Sequence, residues 1–204
     1  MYAVGHFALG YLTGKFASKA LDVKINLPLL FLASVFPDID LLIPGLEHRG
    51  PLHSVVVSCI LFIPLFLFYR KKAVPYFVAL IQHLVIGDFL TGGTQLLWPV
   101  STAMYGLDIG IHSLTNIGLE LVLFLISITV MFKTKDALSL FKHRPSNRIL
   151  YIPVLTVLLP TVIRFPLYVP PLLLVPHLVY LALFSLSILM DLKSILSKNC
   201  CYSG

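Results

Sequence analysis

The chain has 204 residues, room for one domain covering residues 1–204. It is 58% hydrophobic and only 12% charged, with a net charge of +6 and a mean hydropathy of +0.93, whereas soluble domains carry about 25% charged residues. A chain this short cannot hide so much apolar surface from water, which excludes a soluble enzyme, a disordered tail and a basic nucleic-acid module, and leaves an integral membrane protein.

A membrane crossing needs ~20 mostly apolar residues. In chain order the apolar stretches are 2–19, which is amphipathic, and 27–44, which is broken by Pro37 and two aspartates. Then come 52–69, ending at Arg70-Lys71-Lys72, and 73–90, whose first charge is Asp88. The second half contributes 111–132, with Glu120 as its one acid, then 149–168, broken late by Arg164, and a helix of about 170–190. The sequence therefore predicts an all-α, polytopic helix bundle of about seven helices. Residues 1–100 bear the motifs and 101–204 supply supporting helices.

Lys and Arg residues concentrate in cytoplasmic loops. Seven spans put thirteen of the fifteen on one side and leave Arg49 and Arg164 on the other, so the N-terminus is expected outside and the C-terminus inside. Making 27–44 a re-entrant hairpin weakens that asymmetry to ten against five. Cys200 and Cys201 read equally well as a lipidation site or as an incidental reduced pair.

This topology gathers ionisable side chains at one membrane face. His6 opens the first span, Asp38 and Asp40 close the second, and His48, Arg49, His53 and Ser54 occupy the next loop and helix start. His83 and Asp88 end the fourth span. Carboxylates near hydrocarbon need a cation to answer them, and one guanidinium cannot neutralise three aspartates. Imidazole and carboxylate donors suit Zn²⁺, with Mn²⁺ as the alternative, in one or more ions. The candidate metal ligands are thus His6, Asp38, Asp40, His53, His83 and Asp88.

Arg49 and His48 are placed to bind or stabilise a phosphoryl group. Ser54 is expected either to cap the following helix or to hydrogen-bond a ligand. With no Gly-x-Ser-x-Gly elbow and no cysteine beside a base, a metal-activated water is the better nucleophile. Glu120 is an intramembrane acid and so a functional candidate by default, or the hydrogen-bond partner of Asn116. His112 reads as structural. Gly10-x3-Gly14 predicts close packing of the first helix on a neighbour.

The ordered set His6-x3-Gly10, Pro37-Asp-x-Asp40, His48-Arg-Gly-x2-His53-Ser54, His83 with Asp88, and Leu96-Leu97-Trp98-Pro99 resembles the YdjM-like family. That family comprises membrane-bound metal-dependent hydrolases, also described as LexA-regulated and inner-membrane-associated, with distant similarity to zinc-dependent phospholipases C. The resemblance covers roughly residues 1–100. It implies phosphoester hydrolysis at a multi-metal site in the inner (cytoplasmic) membrane. The expected partners are the bilayer and a phospholipid or lipid-linked phosphate, with no nucleic acid and no obligate protein partner.

Two positions depart from the family's pattern. Leu52 stands where Thr usually precedes the second histidine. His83 and Asp88 are separated by four residues instead of three, which on a regular α-helix points them ~140° apart. A π-bulge near Gly87 would reunite them. The alternative to a hydrolase is a non-catalytic transporter or a metal- or lipid-binding protein. A transporter would spread its polar groups along a transmembrane path, whereas here they gather at one face.

Overall fold

The protein is described by a computed structural model covering residues 1–202, with side chains for 1–192. The Cys200–Cys201 pair, and Lys193 and Lys198, expected on the inner side, have side chains outside the described residues. The architecture is an all-α bundle, and the β-pairing among the described residues is one isolated bridge, Thr94 to Tyr105.

Helix α1 is Ala3–Ala20. Helix α2 is Leu27–Val35, capped by the Asn26 side chain, which accepts from Leu29 N at 3.3 Å. Pro37 has no N–H to continue the helical ladder, and the chain leaves α geometry at Val35 (φ −123°, ψ 8°) and tightens into a 3₁₀ segment, Phe36–Leu42. Helix α3 is Val55–Tyr69 and α4 is Val74–Thr91, with a π turn at His83–Asp88. Helix α5 is Leu114–Lys133, capped by Ser113 through Asn116 N at 3.1 Å. A short α6, Asp136–Leu140, leads to α7, Pro145–Ile163, and α8, Pro171–Tyr202.

Helices α4, α5, α7 and the Pro171–Leu192 part of α8 are long and apolar enough to cross a membrane. The stretch expected to span at 27–44 is instead a nine-residue α-helix followed by seven residues of 3₁₀ helix. The third helix starts at Val55 rather than at 52, because Pro51–His53 forms its own 3₁₀ turn. Both differences put irregular backbone where the candidate site residues lie. Backbone of that kind is tolerated at membrane depth only where protein or a cavity surrounds it.

The core is aromatic. Phe7 of α1, Phe31 of α2 and Phe184 of α8 are fully buried and meet with ring centroids 4.9–5.9 Å apart. Between helices in lipid, such packing does the work that water exclusion does in soluble proteins. The small-residue stripe on α1 is used as expected: Gly10 lies against Ser34 of α2, and Gly14 against Leu30 and the Pro75 carbonyl. A side chain at either position would push α1 off α2.

Candidate metal centre

Each site residue is delivered by a local break in regular helix. The 3₁₀ segment after α2 carries Asp38 and Asp40. The turn through Gly50 carries His48 and Arg49, and Arg49 itself adopts a left-handed φ of 63°, a conformation uncommon outside glycine. His53 ends the next 3₁₀ turn. Within α4, His83 and Asp88 bracket the π turn. A π turn closes i→i+5 hydrogen bonds, so residues five apart come to the same face, as the spacing of this pair requires.

Four donor atoms converge. His53 Nε2 lies 3.6 Å from Asp38 Oδ1 and 3.1 Å from Asp88 Oδ2. His83 Nε2 lies 3.3 Å from the same Asp38 oxygen and 3.4 Å from the same Asp88 oxygen. Ligands about 2.0–2.1 Å from a tetrahedral ion are separated from one another by about 3.3 Å, and two imidazoles with two carboxylates is an ordinary zinc donor set. His53 Nε2, His83 Nε2 and Asp88 Oδ2 are also buried without any hydrogen-bond partner. Orphaned polar atoms aimed at one point are costly unless something occupies it. Asp38, His53, His83 and Asp88 therefore fit a divalent cation.

The neighbouring shell orients these donors. His83 Nδ1 donates to the Ser34 carbonyl at 2.8 Å, which leaves the Nε2 lone pair for an ion. His53 Nδ1 stands 3.1 Å from Asp40 Oδ2. Asp40 in turn accepts from His48 Nδ1 at 3.0 Å and from Arg49 N at 3.3 Å. Asp40, His48 and His53 form a second grouping close enough to share an ion.

His6 stands outside the four-donor group: its ring stacks on His83 with centroids 3.6 Å apart, and its Nε2 lies 3.6 Å from Asp88 Oδ1. It rests on Gly87, where a Cβ would collide with the imidazole.

Arg49 turns into the centre. Its Nη2 is 3.4 Å from both Asp88 Oδ1 and Thr91 Oγ1, and Gly92 leaves room for Nη1 that a Cβ would fill. Of the two roles expected of Ser54, the structure shows the cap. Its Oγ accepts from Val56 N and Val57 N at 3.1 and 3.3 Å and donates to the Trp98 carbonyl at 2.6 Å. That bond ties the start of α3 to the Leu96–Pro99 motif.

The family model match covers residues 1–168, to the YdjM inner membrane protein family. The chain belongs to the YdjM inner membrane protein family. Membership thus extends well past the motif-bearing first hundred residues and takes in α5 and α7. No curated protein and no solved structure matches the chain.

Sequence reasoning missed several contributors to this YdjM-family site. Thr91, Gly92 and the Ser34 carbonyl all act on motif residues, but none belongs to a motif. The Gly92-Gly93 pair closing α4 was the one available signal. Met1 N also reaches the site, 2.7 Å from Thr91 Oγ1 and 3.2 Å from Asp88 Oδ1. Glu120 is buried and accepts from Asn116 Nδ2 at 2.8 Å, as expected, and also from Tyr2 N at 2.9 Å and Gly5 N at 3.2 Å. It caps the start of α1 from another helix. His112 lies apart from the centre, with Nδ1 2.6 Å from the Tyr2 hydroxyl and its ring stacked on Tyr168.

Proposed function

We propose that the protein is a metal-dependent hydrolase of the inner membrane, cleaving a phosphoester at a centre open to the outer face. The observation that supports this most is the convergence of the Asp38, His53, His83 and Asp88 donors at tetrahedral spacing beside a guanidinium. Zinc is the ion these donors suit best, with manganese next. A bound divalent ion supplies a polarised water and neutralises charge on phosphoryl oxygens.

The chain's own groups do the rest. Arg49, preset by its left-handed backbone and by Thr91, is positioned to grip non-bridging phosphoryl oxygens as negative charge grows. His48 is exposed, with its Nδ1 held by Asp40, an arrangement suited to handing a proton to the leaving group. The reaction balances simply: water oxygen bonds to phosphorus, the ester P–O bond breaks, and a proton ends on the departing alkoxide.

The test is metal analysis of the purified protein together with chelator-sensitive release from phosphodiester and phospholipid substrates. Turnover that disappears with chelator and in His53→Ala and Asp38→Asn supports the reading. Folded variants that turn over like the parent overturn it.

A further inference from the structure

A cleft leads away from the metal centre between the 3₁₀ segment Phe36–Leu42 and α7. One end is polar, formed by Asp38, His48, Arg49 and Asp88. The walls beyond are almost wholly hydrocarbon, with Leu41 on one side and Leu155, Leu159, Phe165 and Leu167 on the other. The apolar surface does not stop at the rim. Leu42 and Ile43 are 46% and 45% exposed, and Val162 and Ile163 on α7 are 66% and 64% exposed, so the cleft merges with the face the bundle turns toward lipid.

We propose that this cleft holds the hydrocarbon chain of a membrane lipid whose phosphate sits at Arg49, so that the substrate enters sideways from the bilayer. The proposal rests on the hydrolase reading for its chemistry and on the cleft for its substrate. The chemistry of the two ends fixes the orientation: the Arg49 guanidinium, beside carboxylates and imidazoles that could hold a divalent ion, suits a phosphate, while the walls offer a phosphate nothing. A water-soluble phosphoester would leave those walls wet, whereas a chain fills them with the contacts that ligand pockets normally provide. Selection of the substrate then falls to α7, a helix with no metal-ligand candidate.

The probe is phosphatidylglycerol carrying a diazirine midway along one acyl chain, in vesicles with the full-length protein. Photolysis followed by peptide mapping should label residues 152–167, and Leu155→Trp should abolish most of that labelling. Leu186→Trp, on the exposed surface of α8, should leave it intact. Labelling spread evenly over exposed helices, equal in both variants, overturns the proposal.

Turnover gives an independent reading. Leu155→Trp should lower the ratio of phosphatidylglycerol to bis(p-nitrophenyl) phosphate hydrolysis about tenfold or more, mainly through KM. A parallel loss on both substrates with metal retained overturns it. Should Leu155→Trp not fold, Leu159→Ala, which removes wall without adding bulk, carries the same comparisons. If the parent protein hydrolyses neither substrate, the hydrolase reading fails, while the labelling pattern still decides the chain site.

Discussion

His83 and Asp88 are five residues apart on one helix, yet Nε2 of the first stands 3.4 Å from Oδ2 of the second. The π turn between them makes this possible. It accommodates one residue more than an α-helix would between the same two directions. Deleting Ile86, which is exposed, should therefore restore α-helical register and keep both side chains on the centre. Bound metal should persist in this deletion. Gly87→Ala should be worse than the deletion, because its Cβ meets the His6 ring. Metal content of the two variants, measured side by side, checks the ordering.

The donors and their orienting groups should separate by phenotype. His53→Ala, His83→Ala, Asp38→Asn and Asp88→Asn each remove one atom of the four-donor group and should abolish tight metal binding. Asp40→Asn should bind metal roughly 10–100-fold more weakly, the usual cost of losing a carboxylate behind a ligating histidine. Competition with a chromophoric chelator measures both classes. Chelator treatment of the parent should reproduce the first.

Arg49→Ala should retain metal and lose about 10²–10³-fold in turnover, the range for removing a donor aimed at developing negative charge. Arg49→Lys should recover only part of this, since an ammonium cannot reproduce the planar fork. Gly92→Ala should resemble Arg49→Ala, because the added methyl occupies the space of the guanidinium. Steady-state kinetics on metal-loaded protein distinguishes all three from ligand loss.

Glu120 acts at a distance from the four-donor group. It satisfies two backbone N–H groups at the start of α1, and α1 carries His6 to its stack on His83. Glu120→Ala leaves Tyr2 N without an acceptor in a buried setting, while Gly5 N keeps the Tyr2 carbonyl at 3.0 Å; one such orphaned donor costs about 1–3 kcal/mol. The variant should have lower thermal stability and an altered visible spectrum when loaded with cobalt. Glu120→Gln keeps one acceptor and should recover much of both.

Ser54→Ala should lower stability by about 1 kcal/mol, the typical cost of an N-cap, with metal content unchanged. Thermal unfolding in detergent, followed by metal analysis of the same samples, checks it.

Much of this was legible in the residue order. Long apolar runs with few charges announced α4, α5, α7 and α8, because hydropathy over ~20 residues is a local property. The imidazoles and carboxylates of the first hundred residues stood out because they are expensive near hydrocarbon, and the odd spacing of His83 and Asp88 pointed to the π turn. The short α2 was harder to see. Its apolar composition reads as a span, and although Pro37 marked a break in the sequence, only the structure shows that the α-helix ends at Val35 and continues as a 3₁₀ segment. The short α6 is five residues long, too brief for any periodic pattern.

By itself the sequence determined that the chain lives in a bilayer and which residue types could hold a cation, since composition and charge cost do not depend on contacts. The tertiary structure alone decided which oxygen faces which nitrogen, that Ser54 serves a cap, that Glu120 holds α1, and that α7 lines the cleft. Those outcomes depend on side chains from distant segments arriving within a few ångströms of each other, and such proximity is a product of packing that no local pattern encodes.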